Sequence, residues 1–483
     1  MEKRHWKILL IAGIIFHIIA AYMMPIGLDA HVHATYVTDQ MNDGEGDLEW
    51  GELRQDSEKG STPKEVSSDD KWFAWHMIMQ IWFTIFGVSL ISMHLLSLTI
   101  GLACLAVIYF VTNDLFGKDR ALSVTALASI YPPLIRGTGR LYQESAILLL
   151  ASLAIYCVVK GLQTPTQKKW WIFPIISIFI ICSFKGMPFW MGLVAIAGLY
   201  LCQKIQFNLI TFTIIAFSTE IFVIYRNGVS VFSIDVIIAL LSSVIAAIIF
   251  LYCAVLFGKK NPTVEENKAI ILQNGTMVSV AVLIGWVAGL WVSEAHFADT
   301  GIFEILFTLR NNPRYLTLLF IPLIFIRFLN DEDYRLISEE NKKLAYSFIA
   351  IMIVINLAVF SVTVGERGTQ IIGSQLNGEI DDGEDILFIS DSDLAMHRMY
   401  TMHITLDPDS DKSNLAIWRT TDSGWELELN DCEDLKDIVW IVVDYTGLDT
   451  TPDGWESVEI DTDDVINLEY RLLKWGESYD RCP

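Results

Sequence analysis

Asp29 stands in the run Pro25-Ile-Gly-Leu-Asp29-Ala-His31-Val-His33, directly after the first apolar stretch of the chain. A carboxylate there is either the start of a polar loop or a reactive group. Its alternation with His31 and His33 also makes a candidate ligand set for a divalent metal, three ligands on five residues, beside the plainer reading of surface histidines. Two cations follow at the ends of apolar runs, Arg140 and Lys185. A cation within hydrocarbon costs about 2.5–3.5 kcal/mol on insertion scales, so each either snorkels to headgroups or holds an anion. Arg310 and Arg314, in a later polar stretch, are further candidates for anion contact. Glu144, four residues after Arg140, opens an apolar run; it favours the positive end of a helix, pairs with Arg140, or touches a ligand. His76 lies in a Trp-rich stretch as a candidate hydrogen-bond donor.

The elements that must position these residues are membrane helices. The chain has 483 residues, 53% of them hydrophobic, and a mean hydropathy of +0.42. One soluble core cannot hide that many long apolar runs. The net charge of -23 gathers in two segments, Asp29 to Asp70 and Glu366 to Asp480. No basic surface and no phosphate-cradling Gly-rich loop ending in Lys-Ser/Thr is present, which argues against nucleic acid as a partner. A span needs about 20 apolar residues. Suitable runs lie at Ile8 to Met24, Gly87 to Thr112, Ala121 to Ile135, Ala146 to Val159, Trp171 to Phe184, Trp190 to Leu201, Leu209 to Tyr225, Val231 to Phe257, Ile270 to Trp291, Leu316 to Phe328 and Leu344 to Val364. They predict about eleven transmembrane helices.

Lysine and arginine in the short loops set the orientation. With the N-terminus in the cytoplasm, the inner loops carry Lys118 and Arg120, Lys160, Lys168 and Lys169, Lys204, Lys259, Lys260 and Lys268, and Arg335, Lys342 and Lys343. The acidic loop 26–72 and the tail then face outward. The chain is thus expected to divide into a transmembrane module, 1–364, and an acidic extracytoplasmic domain, 365–483. In the tail, Asp385 to Ser390 and Asp437 to Val443 read as strands, and with the periodic segment Val465 to Trp475 they predict a small α/β fold. Cys432 and Cys482, the two cysteines of the tail, form a disulfide if it meets an oxidising compartment, or remain thiols.

The order of motifs from Leu28 to Leu193 resembles the GT-C superfamily of membrane glycosyltransferases, specifically the relatives of protein O-mannosyltransferases and of the lipid A aminoarabinose transferase. In those proteins a carboxylate follows the first helix and a His opens an interfacial helix ending in Phe-Gly. A Leu-Phe-Gly turn lies inside, an Arg with an acidic residue a few positions on opens the fourth helix, and a Lys-Gly ends the fifth span. Asp29, His76, Phe86-Gly87, Leu115-Phe116-Gly117, Arg140 with Glu144, and Lys185-Gly186 match these places. The family's Asp-Glu pair is Asp29-Ala30 here, and Met77-Ile78 replace two prolines after His76.

The resemblance implies an inverting transfer of a sugar from a polyprenyl-phosphate donor to a protein or lipid acceptor at the extracytoplasmic face. Inner loops of roughly ten to fifteen residues are too short for a nucleotide-sugar domain. A phosphate monoester leaving group has a second pKa of about 6 and needs no general acid, so one base is sufficient. By resemblance Asp29 is that base, Lys185 and Arg140 hold the donor phosphate, and Glu144 and His76 contact sugar or acceptor or support the site. Arg310 and Arg314 are lesser phosphate contacts. No cofactor is required beyond the divalent metal that His31 and His33 could help bind. Membrane lipids complete the expected partners. A lipid-linked substrate flippase and a non-catalytic scaffold with an outer binding domain are the competing functions; a flippase would commonly show paired repeats with broken helices, which the sequence lacks.

Overall fold

The computed structural model describes residues 3–42, 44, 51–52, 71–164, 166–187, 193, 209–239, 241, 266–297, 313–321, 324, 337, 342–362, 366–392, 395–409, 411–414, 416–431, 435–444, 448, 450–460, 465–466, 470–476 and 482. They form two compact units. One comprises Met1–Ala20, Leu98–Thr138 and Tyr142–Val359; the other comprises Ala21–Ser97, Gly139–Leu141 and Phe360–Pro483.

The first unit is helical. Helix α1 (Lys3–Met23) turns Ile8, Ile11, Ile15 and Ile18 outward, an apolar stripe at helical spacing suited to lipid, while Trp6 and Leu9 are buried. The chain then contributes α4 (Leu90–Phe116), α5 (Lys118–Ser129), α6 (Pro132–Arg140), α7 (Gln143–Gln163), α8 (Lys169–Phe184), α9 (Leu209–Arg226), α10 (Glu266–Phe297), a 3-10 turn (Pro313–Leu319) and α11 (Lys342–Val362). Four of the described helices are long and apolar enough to cross a membrane: Lys3–Met23, Leu90–Phe116, Gln143–Gly161 and Lys342–Ser361. Shorter apolar helices cover Phe73–Phe86, Lys169–Phe184 and Val280–Ser293. Nearly all of the expected run Trp190 to Leu201, most of Val231 to Phe257, and much of Leu316 to Phe328 lie outside the described residues.

The expected span Ala121 to Ile135 is not one helix. Pro132 and Pro133 have no N–H to continue the ladder, so α5 stops at Ser129 and a new helix, α6, starts on the two prolines. The Leu-Phe-Gly motif is a helix end: Gly117 takes a φ of 88° between α4 and α5, a backbone form other residues disfavour. Helices α9 and α10 pack through Gly285 and Gly289, where the backbone of Ala216 and of Glu220 comes close enough to leave no room for a side chain.

The second unit contains α2 (Leu28–Asn42), α3 (Phe73–Phe86), α12 (Gly368–Asn377), α13 (Ala395–Leu406), α14 (Trp425–Asp431) and a six-stranded sheet. The sheet order is β1-β4-β3-β5-β8-β6, made of β1 (Gly51–Glu52), β3 (Asp385–Ile389), β4 (Ala416–Arg419), β5 (Ile438–Asp444), β6 (Trp455–Val458) and β8 (Tyr470–Trp475). Strands β1, β4, β3 and β5 run parallel, and β8 is antiparallel to β5 and β6. A separate parallel pair joins β2 (Glu366–Arg367) to β7 (Val465–Ile466).

Both faces of the parallel part are covered. Ile386, Phe388, Trp440 and Val442 pack with Ile372, Leu376, Met399 and Leu406 of α12 and α13; Leu387, Ile389, Ile441 and Val443 pack with Trp425 and Leu429 of α14. That explains why both expected strands read as unbroken apolar runs. Val465 to Trp475, by contrast, holds no helix among its described residues: Tyr470–Trp475 is the strand that pairs with both β5 and β6. Cys482 is disulfide-bonded, and Cys432 lies outside the described residues.

Candidate active site

Lys185 is placed by the end of α8. Met187 N–H donates to the carbonyl of Cys182 (2.8 Å) and Gly186 N–H to that of Ser183 (3.0 Å), with Gly186 at a φ of 57°. This is a left-handed helix cap, which needs a glycine just after the last helical turn, and it is the physical content of the Lys-Gly motif. Glu144 lies in the first turn of α7 and is completely buried. The Lys185 ammonium donates to its Oε1, and Arg314 Nε stands 3.8 Å from the same oxygen. The two cations are also held by aromatic faces. Lys185 lies 5.1 Å from the Tyr315 ring centre, and the Arg314 guanidinium lies 4.9 Å from that of Tyr142 and 5.1 Å from that of Tyr315. Among the described residues, one carboxylate and two cations lie together in a largely dry setting, where a fixed charge acts strongly on an anion.

The second unit holds Asp29. The Gly27 carbonyl accepts from Ala30 N–H (3.1 Å) and His31 N–H (3.3 Å), starting α2 and placing Asp29 in its first turn. Gly27 N–H in turn donates to the carbonyl of Arg140 (3.0 Å), which belongs to the same unit, so the turn bearing Asp29 is tied to the 139–141 segment. Leu141, the next residue, has a φ of 54°, which costs a non-glycine residue about 1–3 kcal/mol; its N–H donates to Ser97 Oγ (3.0 Å). Asp29 is 46% exposed, with His397 Nε2 3.9 Å from its Oδ1.

The start of the expected outer loop, 28–42, is therefore helical, because burial of Ala30, Ala34, Thr35 and Val37 outweighs its polar composition. The helix also undoes the alternation that suggested a metal set. At about 100° per residue His31 and His33 point to opposite sides. His31 Nε2 accepts from Gln370 Nε2 (3.0 Å), while His33 Nδ1 bonds His76 Nε2 (2.9 Å). Among the described residues no group of three or more His, Cys, Asp or Glu side chains could hold a metal ion. His76 is buried on α3, with the Tyr36 ring centre 4.5 Å from its own.

Of the residues singled out in the sequence, the structure thus gathers Glu144, Lys185 and Arg314 in one unit, and Asp29, Arg140, His31, His33 and His76 in the other. The partner of Glu144 is Lys185, 41 positions on, where the sequence offered Arg140. Arg310 lies outside the described residues. Tyr142, Tyr315 and His397 were missed. The two tyrosines adjoin Glu144 and Arg314 closely in sequence and could have been found there, whereas nothing near His397 marks it.

The sequence model of the dolichyl-phosphate-mannose-protein mannosyltransferase family matches residues 71–206. The matched stretch includes His76, Phe86-Gly87, Leu115-Phe116-Gly117, Arg140, Glu144 and Lys185-Gly186; Asp29 and Arg314 fall outside it. No curated protein matches the chain. With its apolar helices the chain is a multi-pass membrane protein. Over residues 71–206 it is similar to the dolichyl-phosphate-mannose-protein mannosyltransferase family.

Proposed function

We propose that the chain is an inverting glycosyltransferase that moves a hexose or pentose from a polyprenyl-phosphate donor to a protein or lipid acceptor at the extracytoplasmic face. The observation that carries this is the match to the mannosyltransferase family, within which Lys185 meets Glu144, with Arg314 beside them, in a cluster of one carboxylate and two cations. Such a cluster suits a phosphate monoester better than a neutral ligand. Negative charge grows on the phosphate as the glycosidic bond breaks, and fixed cations stabilise that growth most.

In this reading an acceptor O–H or N–H attacks the anomeric carbon from the side opposite the phosphate, and the bonding pair of the old C–O bond leaves with the phosphate. The acceptor's proton passes to Asp29. Lys185 and Arg140 hold the donor phosphate, Arg314 adds a second charge beside Lys185, and the prenyl tail stays in lipid. The transmembrane module is 1–364, with about eleven spans and the N-terminus in the cytoplasm, and 365–483 is extracytoplasmic. A disulfide at Cys482 fits an oxidising compartment for that segment.

The test is transfer by the purified chain of radiolabelled mannose from polyprenyl-phosphate mannose into membranes of the source cell. Transfer from the lipid donor and none from a nucleotide sugar is the expected result. Equal transfer from the nucleotide sugar, or lipid movement across vesicles without transfer, would overturn it.

A further inference from the structure

We infer that Glu220, on α9 of the helical unit, is a buried proton-binding site, and that an apolar carbodiimide attaches there. No group assigned to sugar transfer takes part, so the inference stands apart from the glycosyltransferase reading.

The site is built by the packing of α9 on α10. Ala216 and Thr219 meet Gly285, Glu220 and Val223 meet Gly289, and just past α9 Asn227 Nδ2 donates to Ser293 Oγ (2.9 Å). The residue pairs advance together, so the two helices run parallel, and the glycines let their backbones approach closely. Ala216, Glu220 and Ile224 are four residues apart and share one face of α9. Ala216 packs into one apolar cluster with Ile284, and Ile224 into another with Ala288 and Val292. Glu220 stands between them along the helix, wholly withdrawn from solvent.

Among the described residues neither carboxyl oxygen of Glu220 has a hydrogen-bond partner, and in no other carboxylate there are both oxygens buried and unpaired. Glu144, equally buried, shows the contrast, since its Oε1 is met by Lys185. An ionised Glu220 would be a charge taken from water with nothing to balance it, so the carboxyl takes up a proton instead. Packing gives no reason for the residue: leucine would fill the position with no polar atom to desolvate. An ionisable side chain kept inside a helix pair of this kind marks a site where a cation is bound or passed on.

The neighbouring charges do not supply another cation. On α9 itself Arg226 is exposed in the last turn. On α10, Glu266 and Lys268 lie more than about five turns before Gly289, Glu294 follows it, and His296 is exposed. Arg314, on the 3-10 turn packed against α10, stands beside Glu144. A metal cation would need several oxygen ligands. The nearby hydroxyls of Thr219 and Ser293 donate to the carbonyls of Ile215 (2.9 Å) and Gly289 (2.8 Å), and no group of three or more His, Cys, Asp or Glu side chains among the described residues could hold a metal. A proton needs only the carboxyl.

The experiment is labelling of the full chain in lipid vesicles with dicyclohexylcarbodiimide, mapped by mass spectrometry. The acid proton moves to one carbodiimide nitrogen as the carboxyl oxygen bonds the central carbon. Transfer of the acyl group to nitrogen then gives a stable acylurea, so the peptide gains the whole reagent and nothing leaves. Label should fall on Glu220, decline as alkaline pH removes the proton that the reaction needs, and be lost in Glu220→Gln, which keeps the shape. A water-soluble cationic carbodiimide should modify exposed acidic residues of the tail and leave Glu220 untouched. The pH dependence and the contrast between reagents are read on the parental chain, so they decide the matter if the variant does not fold. Absence of label at Glu220, label there that pH does not change, or equal labelling by the water-soluble reagent overturns the buried proton site. Protection by sodium chloride that choline chloride does not give overturns it as well, by making a metal cation the occupant.

Discussion

Lys185 and Glu144 form an ion pair that joins the cap of α8 to the first turn of α7, with the carboxylate almost wholly withdrawn from solvent. Taking one partner away leaves an uncompensated buried charge, which costs about 3–5 kcal/mol. Arg314, 3.8 Å from the same carboxylate, makes the loss of Glu144 worse than the loss of Lys185, because two cations are then left facing each other. Glu144→Leu should therefore lower the melting temperature of the detergent-solubilised protein more than Lys185→Met. The double variant should be more stable than the sum of the two losses implies, by at least about 1 kcal/mol of coupling. Additive losses would show that the pair contributes nothing.

Glycine packing between α9 and α10 gives a second expectation. A Cβ built on Gly285 would lie 2.1 Å from the carbonyl oxygen of Ala216, far inside contact distance. Backbone cannot yield as a side-chain tip can. Gly285→Ala should destabilise the protein by about 1–3 kcal/mol through overpacking. At Gly378 the nearest atom to an added Cβ is 3.9 Å away, and Gly378→Ala should melt with the parent. Equal melting of both variants would place the two helices differently.

These two features show what could be read from the sequence and what could not. The Lys185-Gly186 helix end and the Phe86-Gly87 and Leu115-Phe116-Gly117 turns are local, so their residues were visible as motifs. The break between α5 and α6 was also local, at Pro132-Pro133, but the apolar run passing through it concealed it. Helix α2 was hidden for a different reason. Its sequence is polar, and the groups that stabilise it, Gln370 and His403, lie more than three hundred residues later. The pairing of Glu144 with Lys185 and the approach of His397 to Asp29 are of the same kind, since residue types mark candidates while only the fold chooses partners.

Acid should loosen the sheet-bearing unit. His403 is buried against Thr35, and burial pushes it down to about 3 from an unfolded value near 6.5. The unfolded chain thus binds a proton that the folded chain refuses between those values. Stability is present in full above pH ~6.5 and falls as pH drops toward ~3, by at most about 1.4 kcal/mol per unit from this one group. His397, shifted in the same direction, adds to the loss. Melting temperatures followed from pH 8 to pH 5 should decline, and His403→Gln should flatten the decline even if it lowers stability at pH 8. A slope that His403→Gln leaves intact would assign the acid sensitivity to other groups.

The last expectation separates the proposed base from the proposed phosphate contacts. Asp29→Asn keeps the shape of the side chain while removing its basicity, so turnover should fall at least about a hundredfold with donor binding nearly preserved. Lys185→Ala and Arg140→Ala should act on the donor as well as on the rate, because phosphate charge is present in the ground state and grows as the bond breaks. Arg314→Ala should behave like Lys185→Ala but more weakly, its guanidinium being shared between Glu144 and two aromatic rings. Lys185→Arg should restore only part of the rate, since a planar guanidinium replaces a point-like ammonium beside Glu144 and Tyr315. Steady-state transfer from polyprenyl-phosphate mannose, with KM and kcat resolved for each variant, checks all of these together. Parental kinetics in both alanine variants at Lys185 and Arg140 would move the phosphate elsewhere, and an Asp29→Asn enzyme with raised KM and normal kcat would make Asp29 a binding residue instead of the base.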